Sequence, residues 1–70
     1  MTNGGALRDA IARAGVSITF LAGKIGCSRN RIYAIIAGAD CTATEIAGFT
    51  QNLHLTKEER DHIFLEMSVN

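Results

Sequence analysis

Seventy residues with 47% apolar content make one domain, 1–70, with a thin core, because a chain this short buries only about 60% of the surface its unfolded form exposes. That apolar share excludes a disordered chain, and the absence of any apolar run near ~20 residues or of a leading signal-peptide pattern predicts no membrane span. Seven Lys and Arg balance seven Asp and Glu, but unevenly: residues 1–40 carry five cations against two acids (net +3), residues 41–70 two against five (net −3), and anion binding answers to the local field rather than to the sum.

In chain order, Leu7, Ala10, Ile11 and Ala14 repeat at helical spacing and predict a first helix. Asp9 and Arg13 form an i,i+4 pair on its other face, and Gly15 ends it. Ser17 caps a second helix that carries Leu21, Ala22 and Ile25 inward up to Gly26. Ser28 caps a third, from about Arg29 to Ala37, with Ile32, Ile35 and Ile36 on its apolar side and Gly38 as its stop. Thr42-Ala-Thr-Glu45 is a capping box opening a fourth helix with Ile46, Phe49 and Leu53 on one stripe. Thr56-Lys-Glu-Glu59 is a second box, opening a fifth with Ile63, Phe64 and Met67 inward and Glu58, Glu59 and Asp61 at the positive end of its dipole. Gly23 and Gly48 fall inside helices, at a cost of about 1 kcal/mol each relative to alanine, and are read as sites of close helix approach or as simply tolerated. Residues 1–5 and 68–70 are expected to fray. The chain reads as a compact all-α domain of five helices, with a core of Leu7, Ile11, Leu21, Ala22, Ile25, Ile32, Ile35, Ile46, Phe49, Leu53 and Phe64.

The segment Ser17–Gly38 is the most informative. Two helices crossing over a short turn need a small residue on the first (Ala22), a residue tolerant of positive φ at the corner (Gly26), and branched apolar residues on the second (Ile32, Ile35). This is the steric pattern of a helix-turn-helix. The run Phe20-Leu-Ala-Gly-Lys-Ile-Gly-Cys-Ser-Arg-Asn-Arg-Ile-Tyr resembles the motif core of the Cro/phage-repressor helix-turn-helix family. The opening Leu7-Arg-Asp-Ala-Ile, the Gly15 break, Thr44-Glu-Ile46 and the tail from Leu53 to Phe64 are similar to short prophage-borne regulators of Gram-positive bacteria, so the likeness covers residues 6–65. It implies a lambda-repressor-like fold, formed around helices two and three, and a cytoplasmic, sequence-specific DNA-binding transcriptional regulator, a repressor of phage or mobile-element origin.

The resemblance further implies that helix three lies in the major groove. Base contacts then fall to Ser28, Arg29, Asn30, Tyr33 and Ala34; Arg29 matches guanine, Asn30 adenine and Ala34 a thymine methyl. Lys24, Arg8, Arg13 and Arg31 are the expected backbone contacts, which position without specifying. One recognition helix reads few base pairs, so a homodimer on a double-stranded operator is expected, with half-sites about 34–36 Å apart. The apolar excess of Ile63, Phe64, Leu65 and Met67 makes the C-terminal part its candidate interface.

The chain departs from the family pattern at Ile18 and Thr19, which open helix two, at Phe20, and at Ile36, where a glutamate often pairs with an arginine of helix one. Cys27 and Cys41 lie in no CxxC, and with His54 and His62 scattered they make neither a disulfide framework nor a metal site; both cysteines read as space-fillers. No nucleophile, base or phosphate loop stands out, and the core is too small for a pocket of ordinary size. No enzyme, cofactor or small-molecule ligand is therefore expected. The competing reading is a protein-interaction module on the same fold, an antirepressor or antitoxin-like partner, favoured by zero net charge, the acidic fifth helix and the apolar Phe20 and Ile36.

Overall fold

A computed structural model describes residues 1–65, and over them the chain is all-helical. The α-helices are α1 (Gly4–Ala14), α2 (Ile18–Ile25), α3 (Arg29–Ile36), α4 (Ala43–Asn52) and α5 (Lys57–Arg60); α5 runs on into a π-helical turn, Asp61–Leu65.

Each α-helix opens on a side-chain cap. Asn3, Ser17, Ser28, Thr42 and Thr56 accept the N–H groups of Ala6, Phe20, Arg31, Glu45 and Glu59 at 3.0–3.1 Å, each such bond contributing about 1 kcal/mol by satisfying an otherwise orphaned donor. Both capping boxes are complete: Glu45 accepts from Thr42 N–H at 2.9 Å and Glu59 from Thr56 N–H at 2.8 Å. Gly26 turns the corner between α2 and α3 at φ 86°, and its N–H and that of Cys27 both donate to the Ala22 carbonyl, at 2.8 and 3.0 Å. His54 does the same service after α4 at φ 54°, while Leu55 N–H reaches back to the Thr50 carbonyl at 3.0 Å. This reversal turns Leu53 and Leu55 both inward and leaves His54 outside.

Phe49, Leu7, Leu21, Ile32 and Ile35 are fully enclosed, and Phe64 stacks on Phe49 with ring centroids 5.6 Å apart. Offset aromatic pairs of this kind add about 0.5–1.5 kcal/mol beyond their area. Helix α3 packs on α1 and α2, α4 on α2, and the π-helical turn on α1. At the α2–α4 crossing, Gly48 has no Cβ to meet Ile25 Cγ1, which would lie 2.9 Å away. Gly23 faces open space, so close approach does not account for it.

Several expectations need correction. Residues 1–5, expected to fray, are placed against the fold: Asn3 caps α1, Thr2 is buried with its hydroxyl donating to the Ala39 carbonyl at 2.7 Å, and Asn3 N–H donates to the Ile63 carbonyl at 2.7 Å. Gly4 permits this docking, because a Cβ there would collide with the Ile36 carbonyl. The polar pairs that hold this strand of chain lie more than thirty residues away, where no local pattern signals them. Ile25 and Ile46 are half-buried rather than enclosed, Leu55 joins the core, and Ile63 is buried as its inward position on the fifth helix predicts. The fifth helix is interrupted by its wider turn, with Ile63 and Phe64 adjacent and both buried. Arg13 turns to Glu59 of α5 at 2.8 Å, not to Asp9. Met67 and residues 68–70 lie outside the described residues.

Candidate nucleic-acid interface

The apolar positions of α3 decide which of its side chains face out. With Ile32 and Ile35 sunk in the core, helical spacing leaves Arg29, Asn30, Tyr33 and Ala34 on the opposite side, and all four are exposed, as is the capping Ser28. The five expected base-contacting residues thus share one outward surface. Tyr33 is 55% exposed, too open for a ring that completes the core. Arg29 makes no hydrogen bond or ion pair among the described residues, so its five N–H donors face solvent.

The expected backbone contacts divide. Arg8 on α1 and Lys24 on α2 are exposed and form no ion pair with described residues. The Lys24 ammonium lies 5.5 Å from the centre of the Phe20 ring, a cation–π distance that leaves the charge solvated. Arg13 is partnered by Glu59 across the surface, a contact of about 0–1 kcal/mol at most and easily exchanged for another anion.

Arg31 is different. Its Nε donates to Glu45 Oε2 at 2.8 Å, its Nη2 to Glu45 Oε1 at 2.9 Å, and Nη2 again to the Asp40 carbonyl at 2.8 Å. Planar two-point pairing of this kind is the strong form of the arginine–carboxylate bond. The Arg31 bond, helped by Thr42 N–H and opposed by burial, pushes the Glu45 carboxyl down to about 2, and the same bond raises the Arg31 guanidinium. Expected among the free cations of the basic half, Arg31 is instead matched by an acid of the other half. Arg13–Glu59 and Arg31–Glu45 together show how the fold sets the basic front against the acidic back and neutralises part of both.

Ile36 is half-buried against the core, with Gly4 over its carbonyl, whereas Phe20 remains 45% exposed beneath Lys24. Burial pushes both the Cys27 and the Cys41 thiol up, and Cys41 Sγ lies 3.7 Å from the Thr2 hydroxyl; both sulfurs fill space.

One surface feature was not visible in the sequence. An open groove of about 550 Å³ runs between α4 and the π-helical turn, lined by Ala43, Ile46, Ala47, Thr50, Gln51, Arg60 and Leu65. It is an open depression on the surface, of the kind helices leave where they diverge, and not a cavity within the core. No helix among the described residues is long and apolar enough to cross a membrane. Comparison with family models, with curated proteins and with solved structures returned no match.

Proposed function

We propose that this chain is a sequence-specific DNA-binding transcriptional regulator, a repressor of phage or mobile-element origin, with a helix-turn-helix of lambda-repressor type made by α2 and α3. The observation that carries this reading is the outward face of α3: Arg29, Asn30, Tyr33 and Ala34 are exposed together, and Arg29 has no ion-pair or side-chain hydrogen-bond partner among the described residues. A helix held by Ile32 and Ile35 with an exposed guanidinium in its first turn suits insertion into a major groove, where Arg29 meets O6 and N7 of guanine and Asn30 meets adenine. Arg8 and Lys24 supply phosphate contacts. Repression is steric: an occupied operator excludes polymerase. Two copies are needed to read an operator of useful length, so the protein acts as a homodimer.

Selection from randomised duplex DNA tests the reading. Wild type is expected to enrich a short, two-fold related sequence, and Arg29→Ala to lose preference at one base pair of each half. Enrichment unchanged by Arg29→Ala would remove α3 from the reading role.

A second reading, an interaction module such as an antirepressor or antitoxin-like partner, is favoured by the exposed Phe20 and the apolar groove carrying half-exposed Leu65. Retention on heparin separates the two: a DNA-binding surface elutes at a salt concentration that Lys24→Ala and Arg29→Ala lower, and an interaction module does not.

A further inference from the structure

Arg31 stands at the junction of two helix N-termini. Its backbone N–H donates to the Ser28 hydroxyl that caps α3, at 3.0 Å, while its guanidinium grips Glu45, the residue that closes the capping box of α4. Nη2 also holds the Asp40 carbonyl, in the loop between the two helices. Apolar packing ties α3 to α1 and α2, and α4 to α2. The Arg31–Glu45 bond is the direct tie between the first turn of α3 and the first turn of α4. Arg29 and Asn30, which precede Arg31 in that same turn, therefore take their placement from apolar packing on one side and from this bond on the other.

We infer that Arg31 is a positioning residue for DNA reading: through Glu45 it fixes the first turn of α3 so that Arg29 and Asn30 meet base edges in register, and it does not itself touch the DNA. The inference rests on the proposed regulator function and deepens it. It assigns specificity, rather than phosphate affinity, to an arginine in the first turn of the reading helix. Orientation matters here because a two-point arginine–guanine contact tolerates little rotation, whereas a point charge on a phosphate tolerates a good deal.

The experiment compares wild type, Arg29→Ala, Arg31→Ala, Glu45→Gln and the double variant Arg31→Ala/Glu45→Gln. Each is titrated with the sequence that wild type selects and with an unrelated duplex, at several salt concentrations. Glu45→Gln is the informative partner, since glutamine also closes a capping box yet removes the charge that Arg31 grips. If either single variant melts below the assay temperature, the other supplies the result. The expected outcome is that Arg31→Ala and Glu45→Gln each reduce the ratio of selected to unrelated affinity about tenfold, a loss of about 1.4 kcal/mol in discrimination. The double variant loses no more than either single one, and the dependence on salt stays that of wild type. A salt slope shallower by about one unit in Arg31→Ala, with all sequences weakened alike, identifies a phosphate contact and overturns the inference. An unchanged ratio in either single variant, or losses that add in the double one, also overturns it. If wild type selects no sequence, or Arg29→Ala binds as wild type does, the functional reading itself fails and the inference falls with it.

Discussion

Two helix starts fourteen residues apart are built from the same hydroxyl cap and end in opposite electrostatic states. The first turn of α4 follows the rules throughout: Thr42 caps, Glu45 closes the box, and a negative charge sits where the helix dipole is positive. The first turn of α3 has its cap, Ser28, but no acid; it carries Arg29 and Arg31 at the positive end of the dipole. Arg31 escapes that conflict by binding Glu45, whereas Arg29 finds no such partner among the described residues. Helices α4 and α5 carry acids in their first turns and α1 and α2 carry no charge there, so α3 alone opens on cations without an acid, which marks it as serving something other than stability. An anion supplied from outside, such as a nucleic acid, relieves the conflict at α3 and would worsen the situation at α4.

The largest effect tests whether the two turns share one rigid base. Ala22 lies 5% exposed in α2, which carries both α3 and α4. Ala22→Leu is expected to cost about 1–3 kcal/mol by overpacking, read as a fall in melting temperature. A variant melting like wild type would show that α2 does not bear the other two helices there.

Removing the unmatched cation sharpens the contrast directly. Arg29→Ala should weaken binding to the selected sequence by about 1–3 kcal/mol and leave thermal stability unchanged or slightly raised, because an arginine at the positive dipole end is lost. A drop in melting temperature without a change in sequence preference would place Arg29 with the structural residues.

The caps themselves should be comparable. Ser28→Ala and Thr42→Ala are each expected to cost about 1 kcal/mol in stability, yet only Ser28→Ala should also alter sequence preference. The acid limb of the stability curve separates the two turns as well. Glu45 is held at about 2, below its ordinary value of 4.5, so its contribution is complete above pH 4.5 and disappears as pH falls from there toward 2. The difference in melting temperature between wild type and Glu45→Gln should shrink over that window, and a constant difference would mean that the carboxylate charge is not what the pair uses.

The smallest effect is a gain. Gly23 sits in α2 with open space where a Cβ would go, so Gly23→Ala should add about 0.5–1 kcal/mol. Gly48→Ala should give no such gain, since its Cβ would press on Ile25. Equal behaviour of the two glycines in thermal melts would deny the α2–α4 crossing its close contact.

Helix starts and stops were legible in the residues because caps act within four positions. Ser17, Ser28, Thr42 and Thr56 announce the starts, and Gly15 and Gly26 two of the ends. Asn3 was as legible in principle, but Gly4 and Gly5 after it look like a loop until Gly4 is seen lying on Ile36. His54 gave no sign of its left-handed backbone, since residues other than glycine seldom take it even though histidine is among those enriched there, and so Leu55 was not placed in the core. The grouping of Ser28, Arg29, Asn30, Tyr33 and Ala34 came from the resemblance to a helix-turn-helix family, and the burial of Ile32 and Ile35 leaves the same residues facing outward.

The partners of the charges could not be read in that way. Arg13 finds Glu59 forty-six positions away and Arg31 finds Glu45 fourteen away, and neither spacing carries a helical or turn signature. By itself the amino-acid order determined an all-helical chain, the faces of its helices and the cationic first turn of α3, because these depend on bonds and periodicities within a few residues. Which arginines stay available to a ligand, whether the first five residues dock, and how α3 is tied to α4 were decided by tertiary structure. An ion pair forms between whichever charged groups the packed core brings within reach, and that distance is a property of the whole fold.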